Sequence, residues 1–165
     1  MKKTTLNKKL NISYPDSFTV LSETELADAP SWVRPSLGVK STEEELTIYV
    51  VCAGSVKPAL FTSFLMGMKL LGFEKNCRRE IEQYKREKEL TESVCGVTAR
   101  GFEFSGSDPI TDEPVYGEVV CFAFGGKIYI VQYIARTSDR FYCRQAFECT
   151  ISSISPVEET NSSDR

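Results

Sequence analysis

Between residues 115 and 136 the chain is apolar at most positions and is divided by a glycine pair, Gly125-Gly126. The runs on either side, 115–124 and 127–136, are rich in β-branched and aromatic residues. Two adjacent glycines tolerate the positive φ angles of a tight turn, so this pattern predicts an antiparallel hairpin. The register it implies places Phe122 opposite Tyr129, Val120 opposite Val131 and Glu118 opposite Tyr133 on one face. Cys121 with Ile130 and Ala123 with Ile128 fall on the other. Because both faces are largely apolar, both should be covered by further layers.

The remaining elements are written less plainly. Ile12 and Tyr14 alternate with polar neighbours, Pro15-Asp16-Ser17 turns the chain, and Phe18 and Val20 resume the alternation. Pro15 lacks an N–H, so a strand there ends or lies at an edge. Ser22 with Glu25 has capping-box spacing for a single helical turn. Trp32-Val33 reads as a short strand stopped by Pro35, and 46–52 as a buried strand closed by Ala53-Gly54. A helix is predicted over 58–69, with Leu60, Phe64, Met68 and Leu71 at helical spacing and Gly72 as its break or kink. A second helix is predicted over 73–88, with Phe73, Cys77, Ile81 and Tyr84 as its apolar stripe. A strand over 94–105 and a Pro- and Asp-rich loop over 106–114 lead into the hairpin. Ser138 or Asp139 can cap a last helix reaching about 153, with Phe147, Ile151 and Ile154 inward and Pro156 beyond its end. This order implies an α+β fold: a central antiparallel sheet of about five or six strands flanked by helices. It also implies one domain over 10–155, between a flexible basic segment 1–9 and a flexible polar, acidic tail 156–165.

Composition narrows the partners. With 165 residues the chain can bury a sizeable core, and its net charge of −3 argues against a broad phosphate-binding surface and hence against nucleic acid. The charged run from 74 to 89 nearly cancels, with Glu74–Arg78 and Glu82–Arg86 as favourable pairs on a solvated helix face. Lys2 and Lys3 are followed by no apolar segment, and the longest apolar stretch, 46–53, is too short to span a bilayer. A cytoplasmic protein without membrane association is therefore expected. Sequons at Asn11 and Asn161 would matter only outside the cell. The six cysteines contain no C-x-x-C pair, and Cys77 and Cys121 occupy apolar positions, so free thiols packing as small hydrophobes are expected.

Chemistry is thinly represented. Histidine is absent, which removes the commonest general base and any Cys–His or Ser–His–Asp mechanism within one chain. Asp108, Asp112 and Glu113 could approach a hard cation, but their prolines and turn residues suit a solvated connection better. No catalytic residue, metal or cofactor is expected. Glu118 stands inside an apolar strand, so it is either a carboxylate with a raised pKa in a pocket or one satisfied by Tyr133 or an arginine. Trp32, Arg34 and Tyr116 have the residue types of binding hot spots. Glu118, Tyr133, Tyr116 and Trp32 are the candidate ligand- or partner-binding residues.

The succession of elements resembles the PsbP-like fold. The likeness rests on Ile12-Ser13-Tyr14-Pro15-Asp16-Ser17-Phe18, Gly101-Phe102-Glu103-Phe104, Tyr116-Gly117-Glu118-Val119, Gly126-Lys127-Ile128-Tyr129 and the closing helix ending at Ser153-Ile154-Ser155. It covers about 10–157. That fold occurs in an extrinsic photosystem II subunit, a small Ran-binding protein and many bacterial domains. The resemblance implies a non-enzymatic binding or assembly module with a protein partner; no functional residue is carried over. The alternative is a small ligand-binding protein or carboxylate-dependent enzyme with a pocket near Glu118.

Overall fold

The computed structural model describes residues 1–56, 59–136 and 139–158. Pro58, Ser138 and Asn161, to which the sequence assigns a helix start, a cap and a sequon, lie outside them, as does most of the expected tail.

The predicted hairpin forms the centre of the molecule. Strands β8 (Pro114–Phe124) and β9 (Lys127–Arg136) pair antiparallel, with Glu118 opposite Tyr133, Val120 opposite Val131 and Phe122 opposite Tyr129. Gly125 and Gly126 turn the chain at φ 56° and 74°. Around this pair a seven-stranded antiparallel sheet is laid out in the order β3-β4-β5-β9-β8-β7-β6. Its other members are β3 (Phe18–Val20), β4 (Leu37–Ser41), β5 (Thr47–Ser55), β6 (Glu82–Val94) and β7 (Val97–Ser107).

One face of the sheet carries helix α2 (Thr62–Glu80), which buries Met66, Phe73 and Cys77 against Phe102, Phe104, Val119 and Ile130. The other carries helix α3 (Arg140–Ser152), which buries Cys143, Ala146, Phe147 and Ile151. Asp139 caps α3, its carboxylate accepting from the Tyr142 N–H. A second, three-stranded sheet of β1 (Lys2–Leu6), β2 (Leu10–Tyr14) and β10 (Ser155–Pro156) adds Leu6, Leu10, Ile12 and Tyr14 to the same core. The short helix α1 (Glu23–Ala27) begins with the expected capping box: Ser22 accepts from the Glu25 N–H, and Glu25 accepts from the Ser22 N–H.

Four expectations are corrected. The basic N-terminal segment is not loose: Lys2–Leu6 pairs in full register with Leu10–Tyr14, because the inward Leu6 reaches the core. Trp32-Val33 is a turn, closed by the Val33 N–H donating to the Pro30 carbonyl, and the strand follows at Leu37–Ser41. Gly72 neither breaks nor ends its helix; α2 is continuous from Thr62 to Glu80. The helix predicted to run on to residue 88 stops there; Ile81 is its C-cap, and Tyr84 with the part of the charged run from Glu82 onward belongs to strand β6. The proposed Glu82–Arg86 helical pair therefore does not exist, while Glu74–Arg78 does, at 3.1 Å. Strand β6 forms a hairpin with β7 through Cys95-Gly96, both at positive φ.

Candidate functional site

The sheet separates the sequence-selected residues onto its two faces. Alternation along β8 and β9 turns Tyr116, Glu118 and Tyr133 toward α3, where all three are buried. The Tyr133 hydroxyl donates to Glu118 Oε2 at 2.5 Å. Directly across the neighbouring ladder, Glu103 on β7 pairs with Glu118, so two buried carboxyls stand side by side. Helix α3 brings the compensating charge: Arg144 lies 3.2 Å and Arg140 3.7 Å from the Glu103 carboxylate. Arg140 also stacks over the Tyr116 ring at 3.8 Å.

These contacts divide the roles of the two acids. Glu103 takes the arginines. Burial, with Glu103 as a neighbouring like charge, pushes the Glu118 carboxyl up to about 7, although the Tyr133 hydrogen bond pulls the other way. Burial, followed by the charge of Glu118, likewise moves the Tyr116 phenol up to about 12. Glu118 is 2% exposed and packed between Tyr133, Glu103 and α3. The group fixes α3 to the sheet.

Trp32 lies on the opposite face. Its ring sits 5.8 Å from Phe73 of α2 and forms one wall of a half-open cavity of about 460 Å³. The floor is Tyr49 and Gln132, which face one another across β5 and β9. Gln132 is 3% exposed, and its Oε1 has no hydrogen-bond partner among the described residues. Burial also raises the Tyr49 phenol above its ordinary pKa. Sequence reasoning passed over Gln132, although a polar residue inside a strand with two covered faces carries the same signal as Glu118.

A third feature lies on the outside of α2 and of the 3-10 turn Ala59–Phe61 that leads into it. Leu60, Phe61, Phe64, Met68 and Leu71 are exposed, Leu60 by 90% and Phe64 by 65%. Leu60, Phe64, Met68 and Leu71 are the residues expected at helical spacing, and their row faces away from the sheet. Lys75 is exposed one turn beyond Leu71, and a groove beside the row is lined by Gly67, Leu70, Leu71, Arg86, Glu89 and Arg100.

The other candidates are occupied by local structure. Asp108 accepts from the N–H groups of Ile110 and Thr111, and Glu113 pairs with Arg136 at 2.7 Å. Among the described residues no cluster of three or more potential ligands suits a metal ion. The six cysteines are free, and burial pushes the Cys77 and Cys121 thiols up to about 12, leaving them unreactive at neutral pH. No helix among the described residues is long and apolar enough to cross a membrane.

No protein-family model matches the sequence, and no curated protein matches it either. Solved structures do. LpqN from Mycobacterium tuberculosis, involved in cell envelope biogenesis, is 15% identical with a TM-score of 0.55, over 90% of this chain and 83% of that one. The cyanobacterial PsbP protein CyanoP from Synechocystis is 12% identical with a TM-score of 0.58, over 94% of this chain and 91% of that one. At such identities the likeness is one of architecture, and with its broad antiparallel sheet between α2 on one side and α3 on the other, this chain has a PsbP-like fold.

Proposed function

We propose that this protein is a non-enzymatic binding module that holds a protein partner on the outward face of α2. The observation that carries this reading is the exposed row of Phe64, Met68 and Leu71 on a helix whose opposite side is already packed, continued by Leu60 and Phe61 in the 3-10 turn just before it. An apolar patch of this kind is uncommon on a surface that remains in water, and it marks an interaction site more often than not. Phenylalanine, methionine and leucine at spacings of three and four suit a helical segment laid alongside.

Charge selects the occupant. Lys75 and Arg100 stand beside the row, where Glu89 is already paired with Arg86 at 2.6 Å, on a chain whose net charge is −3. An apolar segment flanked by Asp or Glu complements that border. A second copy of this chain would bring one basic border against another. Catalysis at Glu118 has the weaker support, since that carboxyl is enclosed and bound.

The test is a photo-crosslinking residue placed at Phe64 or Leu71 in cells. The expected result is one discrete protein adduct that disappears with Met68→Glu and weakens with Lys75→Glu, while melting temperature stays within about 2 °C of the parent. Adducts with lipid alone, an adduct of two 18.5 kDa chains, or insensitivity to both substitutions would overturn the proposal.

A further inference from the structure

We infer that Gly67 opens a hole into which the partner helix inserts one large apolar side chain, while Arg100 holds an Asp or Glu of that helix one turn away. The inference rests on the partner-binding reading of α2 and narrows it to a sequence pattern.

Gly67 lies inside a continuous helix of 19 residues. A glycine there weakens the helix relative to alanine unless close packing or an unusual φ requires it. Neither requirement comes from this chain. A Cβ built on Gly67 would meet nothing within 4 Å, and its φ is not positive. Gly101, across the groove, differs: a Cβ there would overlap the Val119 carbonyl oxygen, so its own chain demands the glycine. Gly72 is as open as Gly67 but stands about 140° further round the helix, on the other flank of the exposed row.

The position of Gly67 gives the space a shape. Phe64, Gly67, Met68 and Leu71 stand at i, i+3, i+4 and i+7, the four corners of a hole that receives a knob from a facing helix. Three corners are large and exposed, and the fourth has no side chain. The recess at that corner continues into the groove toward Arg100 and Gly101 of β7. Its volume of about 240 Å³ falls below the roughly 300–1,000 Å³ of small-molecule pockets. One leucine, methionine or phenylalanine side chain suits it better than a separate molecule.

Charge fixes the second contact. Arg86 is taken up by Glu74 at 3.0 Å and Glu89 at 2.6 Å. Arg100 is exposed and pairs with no acid among the described residues; its guanidinium donates to the Ser63 carbonyl at 2.7 Å. A guanidinium carries five N–H donors in a fork, so most of it is left for a carboxylate. Ser63 stands one turn before Gly67 on α2. The acid and the apolar side chain are therefore three or four residues apart on the partner.

The test places p-benzoylphenylalanine at Phe61, at the end of the row and outside the hole, and irradiates the full chain in cells. Sequenced by mass spectrometry, the adduct peptide should carry Leu, Ile, Met or Phe with Asp or Glu three or four positions away. Gly67→Leu should lower the adduct yield by about tenfold and Gly67→Ala by about threefold, with melting temperatures equal to or above the parent's. Arg100→Gln should lower the yield by about fivefold, and Arg100→Lys should restore part of it. An undiminished adduct with both Gly67 variants, or a peptide without that pattern, would overturn the inference and leave the partner-binding reading standing. No discrete protein adduct from the parent would remove that reading and the inference with it. Lower melting of both Gly67 variants would also overturn the inference, because the chain itself would then need the glycine.

Discussion

At the scale of single residues, Glu118 shows how the same sequence signal can resolve in either direction. A carboxylate inside an apolar strand announces that something must compensate it, and the register already names Tyr133 as the nearest candidate. What the sequence does not reveal is Glu103, which the β7–β8 pairing sets beside it, or the arginines that α3 brings to Glu103. Those contacts come from chain segments far apart in order, and no local pattern encodes them. Their consequence is measurable. The folded protein holds the Glu118 proton up to about 7, whereas the unfolded chain releases it near 4.5. Between those values the native state binds a proton that the unfolded state lacks, so this contribution is complete below 4.5 and is lost as pH rises through 7. Glu118→Gln keeps an acceptor for Tyr133 and removes the buried charge. At pH 8 it should raise the melting temperature by several degrees, with a ceiling of about 3 kcal/mol, and the two proteins should converge near pH 4.5. A thermal scan across that range in which the variant melts lower at pH 8 would show that the charged form is the one the fold requires.

At the scale of elements, the hairpin and the α1 cap were legible because each is specified by neighbours in sequence: two glycines between apolar runs, and Ser22 three residues before Glu25. Strand β6 was not. Glu, Lys, Arg and Gln fill it, all good helix formers, and Ile81 and Tyr84 continue the spacing of Phe73 and Cys77. Two register shifts, between Glu82 and Lys85 and between Arg86 and Lys88, also break the period-two alternation by which a strand is recognised. Its position explains the composition. The strand lies at the sheet's edge, where charged side chains discourage pairing with other chains. Strand β4 escaped for another reason: Leu21 packs so closely that a Cβ on Gly38 would lie 2.5 Å from its Cδ1, so a poor strand former occupies the strand. What joins the end of α2 to β6 is Glu74, a buried acid that accepts from Arg78 at 3.1 Å, Arg86 at 3.0 Å and Tyr84 at 3.3 Å. Removing it leaves Arg86, stacked over Phe102 at 4.1 Å, without its buried partner. Glu74→Ala should cost about 1–3 kcal/mol in denaturant unfolding. The same change at the more exposed Glu80, whose partner is the solvated Arg79, should cost less than about 1 kcal/mol. Equal losses at the two sites would mean that Glu74 carries no special share of the α2–β6 junction.

At the scale of the whole molecule, the two-sided hairpin dictates most of the rest. A sheet that is apolar on both faces must be covered twice, and α2 covers part of one side, next to the half-open cavity against Trp32. On the other side α3 covers Tyr133 and Tyr129 only in part, and the three-stranded sheet closes the remainder through Ile12, Tyr14 and Leu10. That second sheet draws one strand from the start of the described chain and a two-residue strand from near its end, both hydrogen-bonded to β2. Sequence alone gave β1 the look of a solvated tail, because Lys2, Lys3, Thr4 and Thr5 are polar and a single inward leucine carries no period. The pairing makes that leucine a core residue, 3% exposed in the same cluster as Phe147 and Ile151. If the sheet is an integral cover, Leu6→Ala should destabilise the entire domain by about 2–4 kcal/mol in a single cooperative transition. Lys3→Ala, outward on the same strand, should change stability by less than about 0.5 kcal/mol. A negligible loss at Leu6 would mean that β1 detaches without consequence and that α3 shields this face with β2 alone. A matching loss monitored by the Trp32 signal, on the far side of the sheet, would show instead that the two cores melt as one.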